Sequence, residues 1–223
     1  MPVSLPSAVL FDMDGLLVDT EPVWTVAEIE LADRLGSRWT PEIKAAVVGT
    51  RIGTAVPVIL TLLGQLPTPE LVAQTTTDLL ARMVELFKGE LAPLPGAMDL
   101  LADLQRSGVP VALVSSSFRV LVDAVVNRLG LSFDVTIAGD EVHHAKPHRE
   151  PYETACLRLA VDPRRAVVLE DSPAGIDSGE AAGCAVVAVP SVAGVHPEPG
   201  PRRLVLTSLT ELDLAALGAL AAR

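Results

Sequence analysis

Ala8-Val-Leu-Phe-Asp12 is a short apolar run with no helical period, closed by an acid. Such a run reads as a strand buried on both faces. Similar runs recur at Val109–Ser115, Phe133–Ala138, Ala166–Leu169, Ala185–Val189 and, more weakly, Leu204–Leu206. Between them lie helix-like segments at Ala97–Ser107, Val120–Leu129, Pro151–Leu159 and Ala174–Ala182. Strands that alternate with helices need crossover connections, which yields a parallel sheet covered on both faces. The expected fold class is therefore α/β, a Rossmann-like parallel sheet. Sheets of this kind bind ligands beyond the carboxyl ends of their strands, where most of these runs end in polar or small residues.

Between about Glu21 and Gly89 the alternation stops. Glu28, Leu31, Ala32 and Leu35 carry helical spacing, as do Leu71, Leu79, Met83 and Leu86, and Pro22, Pro41 and Leu66-Pro-Thr-Pro-Glu70 mark turns or helix starts. This predicts an inserted α-helical bundle. Leu91-Ala-Pro-Leu-Pro-Gly96 is the expected return hinge. The domains are then 1–17 with 91–223 for the sheet, and 18–90 for the bundle.

Composition narrows the function. Hydrophobic residues make up 49% of the 223 positions, enough to offset chain entropy, so the chain is not disordered. Seventeen Lys+Arg against 28 Asp+Glu leave a net charge of −11, which argues against nucleic acid. With 3% aromatics there is no stacking platform for single strands. No run approaches the roughly 20 apolar residues of a membrane span. Met1–Leu10 lacks a basic start and is broken by Pro2 and Pro6, unlike a signal peptide. Cys156 and Cys184 have no metal-ligand spacing and read as two thiols in a reducing cytoplasm, although sequence alone leaves their pairing open.

Four segments carry chemistry. In Phe11-Asp12-Met13-Asp14-Gly15 two acids stand at i and i+2 directly after the first strand. Side chains two apart on extended chain point the same way. Such carboxylates repel unless a cation lies between them, and paired carboxylates with open ligand positions suit Mg²⁺. The plainer reading is an acidic turn with Gly15 supplying the bend. Glu170-Asp171 ends another strand, and Ser172-Pro173 opens the helix after it, where Ser172 can cap and leave Asp171 free for a metal. Ser115, with Ser116 and Ser117 behind it, ends a third strand and can seat an anion on hydroxyl and N–H groups. Lys146-Pro147 lies in a loop and alone reads as surface.

Taken together, the segments FDMDGLLVDTEP, VSSS, KPHREPY and LEDSPAGIDSGEAAG resemble, in that order, the motifs of the haloacid dehalogenase-like superfamily of phosphohydrolases. The resemblance covers nearly the whole chain. The helical insertion is similar to that family's helical cap, and the pattern lies nearest the sugar-phosphate and nucleotide phosphatases related to β-phosphoglucomutase. The resemblance implies that Asp12 attacks phosphorus to form an aspartyl-phosphate. It implies that Asp14 protonates the leaving oxygen and later activates water. It places Mg²⁺ on Asp12, the Asp14 carbonyl and Asp171, with Glu170 close by, and the phosphoryl oxygens on Ser115 and Lys146. Asp14 is not needed to expel halide, so it favours phosphoryl transfer over dehalogenation. Lys44 and Lys88, the cap lysines, match no Schiff-base context.

The resemblance also bears on substrate. Glu21-Pro22-Val23-Trp24 and Gly49-Thr50-Arg51 resemble the hexose- or hexitol-phosphate phosphatases, which makes Glu21, Trp24, Arg51 and Ser116 the expected substrate contacts. Trp24 as core and Arg51 as a surface ion pair are the plainer readings. The mutase carries a histidine where Trp24 stands and a second-phosphate lysine near Phe118, with Arg119 as the one candidate replacement. The expected enzyme is thus a Mg²⁺-dependent phosphatase of a small phosphorylated metabolite, cytoplasmic, monomeric, and without nucleic-acid or membrane partners. A sugar-phosphate mutase is the alternative, followed by a nucleoside monophosphate phosphatase and an idle phospholigand-binding module. His143, His144 and His148 flank Lys146. Imidazoles attract zinc, but adjacent histidines point apart, so the expectation is a solvated loop at the mouth of the site.

Overall fold

The computed structural model describes residues 5–47, 50–191, 194 and 196–223. Val48 and Gly49 of the expected cap contact segment, and the first four residues of the N-terminal stretch, lie outside that set. Six strands are described: β1 Ala8–Phe11, β2 Val111–Val114, β3 Val135–Ile137, β4 Ala166–Glu170, β5 Ala185–Ala188 and β6 Arg203–Val205. The helices are α1 Glu21–Arg34, α2 Pro41–Val47, α3 Ile52–Leu62, α4 Pro69–Phe87, α5 Ala97–Arg106, α6 Arg119–Leu129, α7 Glu150–Arg158, α8 Pro173–Ala181 and α9 Leu214–Ala221. The expected α/β class is what the structure shows. Chain contacts divide it into two units, Met1–Asp19 with Ala92–Arg119 and Leu131–Arg223, and Thr20–Leu91 with Val120–Gly130.

In the first unit all strand pairs are parallel, in the order β3-β2-β1-β4-β5-β6. The four inner strands are buried at every residue, as their unbroken apolar runs require. The edge strands β3 and β6 are three residues long and half-buried, which explains the weaker signal of Leu204–Leu206. Alternate residues face opposite sides. Leu10, Val114, Val168 and Val186 pack with Tyr152, Cys156 and Ile176 of α7 and α8, while α5 and α9 pack against β2 and β4. The Cys156 and Cys184 sulfurs lie 4.0 Å apart in that core, within S–H···S contact and without a disulfide.

Strand order decides where the site falls. β1 lies between β2 and β4, at the point where the chain turns from building one half of the sheet to the other, and such a point opens a crevice beyond the strand ends. Phe11 is level with Leu113 of β2 and Leu169 of β4, so Asp12, Val114 and Glu170 emerge side by side.

The second unit is helical. Pro22, Pro41 and Pro69 open helices at positions where an N–H is not needed, and the Thr68 hydroxyl accepts from Leu71 N at 3.3 Å. Leu31, Ala32, Ile43, Val47, Ala55, Ile59 and Leu63 form one buried cluster. The buried stripe of α4 runs through Thr75, Leu79, Met83 and Phe87. Leu71 and Leu86 are only half-buried. The i, i+4 step from Met83 selects Phe87 and turns Leu86 to the flank.

Candidate active site

The tight turn after β1 presents two acids. Gly15 adopts φ +85°, a left-handed conformation, and a Cβ there would collide with the Asp171 carboxylate and the Ser191 hydroxyl. The turn that carries Asp12 and Asp14 is thereby drawn against the end of β4.

Lys146 binds three adjacent strand ends at once. Its Nζ donates to Asp12 Oδ1 at 2.6 Å, to Glu170 Oε1 at 2.6 Å and to the Val114 carbonyl at 2.9 Å. Its side chain is 3% exposed, so the surface-loop reading of Lys146-Pro147 does not hold. The ammonium is drawn inward because burying Asp12 and Glu170 unpaired is far costlier than burying the cation with them. Burial pulls the Lys146 pKa down, but Asp12 and Glu170 more than offset it and hold it above the usual lysine value.

Glu170 serves as a scaffold. Its Oε2 accepts from Asp171 N, Ser172 N and Ser172 Oγ, each at 3.0 Å, and its Oε1 accepts from Tyr152 Oη at 2.9 Å. Burial opposes its ionisation, yet Lys146 and these donors keep it below the usual range. A Cβ on Gly175, in the first turn of α8, would strike this carboxylate. Gly175→Ala is expected to cost about 1–3 kcal/mol through overpacking, seen as a lower Tm with reduced turnover. An unchanged Tm would refute that role for Gly175.

Asp14 belongs to a second cluster. Its Oδ2 accepts from Ser115 Oγ at 3.0 Å and Ser117 Oγ at 2.9 Å, and Ser115 Oγ accepts from Ser117 N at 2.9 Å. Asp171 accepts from the Ser191 hydroxyl. Asp12, Asp14, Ser115, Lys146, Glu170 and Asp171 are thus gathered at one sheet edge. Ser116 lies beside them on the same loop, where its carbonyl closely approaches Gly139. Tyr152 and Ser191 are site residues that the sequence reading does not include, whereas Ser117 falls within the expected hydroxyl run. Neither Tyr152 nor Ser191 carries a local sequence signal.

Asp12, Glu170 and Asp171 each offer an oxygen, all within 4.8 Å of one another. Of the four acids at this edge, Asp12 and Glu170 bond the Lys146 ammonium, Asp14 bonds two serine hydroxyls and Asp171 bonds that of Ser191. Burial raises Asp12 well above the usual range, and Lys146 only partly offsets it. Burial, with Glu170 adding to it, pushes Asp171 up to about 7. A raised folded-state carboxyl pKa means the folded chain keeps a proton that the unfolded chain has released. Its favourable contribution is complete below the unfolded value near 4 and is lost as pH rises through about 7. Metal-free protein is therefore expected to lose Tm between pH 5 and 7.5, and Asp171→Asn to flatten that profile. A Tm that rises across this window in the unsubstituted chain would contradict the assignment.

Glu21, Trp24 and Arg51 belong to the helical unit. Glu21 opens α1 and pairs with Lys44 at 2.8 Å. Trp24 is half-buried in α1, and Arg51 sits at the N-cap of α3. Arg119 is committed elsewhere: its guanidinium holds Glu141 at 2.6 Å and donates to Thr136 Oγ1 at 2.9 Å.

Among known proteins, residues 6–183 match the family pattern of haloacid dehalogenase-like hydrolases. Hexitol phosphatase B of Escherichia coli K12 is 30% identical over 213 residues, covering 92% of this chain and 93% of that protein. The bifunctional riboflavin kinase/FMN phosphatase of Arabidopsis thaliana is 32% identical over 84% of this chain, which spans only 49% of that larger protein. A crystal structure of a CbbY variant from Rhodobacter sphaeroides with xylulose-(1,5)bisphosphate superposes with a TM-score of 0.85 at 31% identity, covering 96% of this chain and 99% of the other. No described helix is long and apolar enough to cross a membrane. With its acids set around a buried lysine at the ends of β1 and β4, and this match over most of its length, the chain belongs to the haloacid dehalogenase-like hydrolases.

Proposed function

We propose that the protein is a Mg²⁺-dependent phosphatase of a small sugar or polyol phosphate, working through an aspartyl-phosphate on Asp12. The observation that carries this reading is the pairing of Asp12, held by Lys146, with Asp14, held by two serine hydroxyls. It supports one acid as nucleophile and its neighbour as proton carrier. The sugar-phosphate ligand and phosphatase names of two relatives covered to 93% and 99% of their length support the substrate class.

The donor set fits a hard divalent cation, because three buried carboxylate oxygens converge and burial holds Asp12 and Asp171 above the usual carboxylate range. Asp12, Asp171 and the Asp14 carbonyl would hold it, with Glu170 behind them. When bound, Mg²⁺ offsets negative charge between carboxylate and phosphate and on the transferring oxygens. Asp12 then attacks phosphorus in line with the ester oxygen. Asp14 gives that oxygen a proton, and afterwards takes one from the water that cleaves the aspartyl-phosphate. Lys146 and Ser115 steady the phosphoryl oxygens, the serine by turning its hydroxyl from Asp14. Glu21, Trp24, Arg51 and Ser116 would read the leaving group.

The engagement of Arg119 with Glu141 favours hydrolysis over mutase chemistry, since it leaves the candidate for gripping a second phosphate held elsewhere. Inorganic phosphate release from hexose, hexitol, glycerol and nucleoside monophosphates, with and without Mg²⁺, tests the reading. Mg²⁺-dependent release from a sugar or polyol phosphate is expected. Isomerisation of β-glucose 1-phosphate without phosphate loss would replace it with the mutase.

A further inference from the structure

The loop that delivers Lys146 carries a second cluster, on the outside. Glu150 heads α7, and its carboxylate is fixed by main-chain donors: His143 N reaches Oε1 at 2.7 Å and His144 N reaches Oε2 at 2.9 Å. The His144 ring brings Nδ1 to Oε2 at 2.8 Å. His148 lies against His144 with ring centroids 4.5 Å apart at 34°, and its Nδ1 accepts from Glu150 N at 3.2 Å. The far side of the loop is anchored where Ser178 Oγ donates to the His148 carbonyl at 2.6 Å. The sequence expectation turned on adjacent histidines pointing apart. The pair that meets is instead His144 and His148, four residues apart, and Glu150 bonds both.

His144, His148 and Glu150 each offer one ligand atom, and the three atoms lie within 4.8 Å of one another. We propose that they form a surface site for a borderline transition-metal dication of the Zn²⁺ class, separate from the carboxylate cluster, that clamps the loop on both sides of Lys146. Two imidazoles and a carboxylate with an open fourth position are a zinc-type donor set. Imidazole nitrogen selects such ions over Mg²⁺, whose preference is for oxygen, so the two sites divide cations by ligand chemistry. In tetrahedral coordination donors stand roughly 3.3 Å apart, from zinc–nitrogen bonds of about 2.0 Å. Small rotations of the two exposed rings close that gap. The His144–Glu150 hydrogen bond gives way to the shared ion, and His148 ligates either by releasing its 3.2 Å contact with Glu150 N or by moving its proton so that Nε2 is the donor, while the Glu150 carboxylate stays pinned by two N–H groups.

Tag-free protein titrated calorimetrically with Zn²⁺ in a large excess of Mg²⁺ tests this. One equivalent is expected to bind, with affinity falling at least about 10-fold in both His144→Gln and His148→Gln. Hydrogen exchange across residues 143–150 is expected to slow on Zn²⁺ addition in the unsubstituted chain and not in the variants, whose Tm confirms folding. No Zn²⁺ binding, or binding that survives in both histidine variants but vanishes in Asp171→Asn, would overturn the site.

Discussion

Asp12→Asn is expected to abolish phosphate release, by at least about 10⁴-fold, the scale seen when a covalent catalytic group is removed. The Tm is expected to stay within about 3 °C of the unsubstituted chain, a change below about 1 kcal/mol. The two halves have one cause. Asp12 is buried among three other acids and its carboxyl is held well above the usual range. Its charge is therefore a burden on the fold, and under the proposed mechanism it is kept for catalysis. The asparagine keeps the shape, and Lys146 keeps Glu170 as its partner at 2.6 Å. Steady-state turnover of a responsive phosphomonoester, alongside a thermal melt, checks both. Turnover near the original rate would remove Asp12 as nucleophile. A melt lowered by 10 °C or more would show that its charge supports the fold instead.

Lys146→Met is expected to be the most damaging single change, because it removes the ammonium between Asp12 and Glu170 and leaves both buried. Breaking a buried ion pair from one side costs about 3–5 kcal/mol, or a Tm fall on the order of 10 °C in a chain of this size. Turnover is expected to vanish as well. Adding Glu170→Gln to Lys146→Met tests the cause, since it withdraws the deepest of the stranded charges. The double variant should regain a large part of the lost Tm and none of the activity. If its losses are simply the sum of the two single ones, the charges are not coupled and the electrostatic account fails.

Much of the site is legible before folding because it is written at strand ends. Asp12, Ser115 and Glu170-Asp171 each follow an apolar run, and the register of β1, β2 and β4 brings those ends level. Lys146 was placed by resemblance, since a lysine in a loop of polar residues carries no local sign of burial. Only the three-strand contact shows why it is buried. Tyr152 has no sign either: its hydroxyl is needed by Glu170, a residue 18 positions away. Ser191 likewise depends on a partner 20 positions away, Asp171. In α4 the choice of Phe87 over Leu86 depends on phase along the helix, which two apolar neighbours leave ambiguous. The histidines show the same limit, since their meeting depends on the path of a loop pinned by Lys146 and Ser178.

What the chain's own order of residues determined is the run of elements, for an apolar run without period makes a buried strand and a 3.6-residue period makes a helix. It also determined which acids stand at the strand ends. Tertiary structure alone decided that β1 lies between β2 and β4. Neighbours in a sheet are chosen by the packing of crossover helices, a long-range matter that no local period encodes. That choice turns separate acidic strand ends into one site around a single buried ammonium.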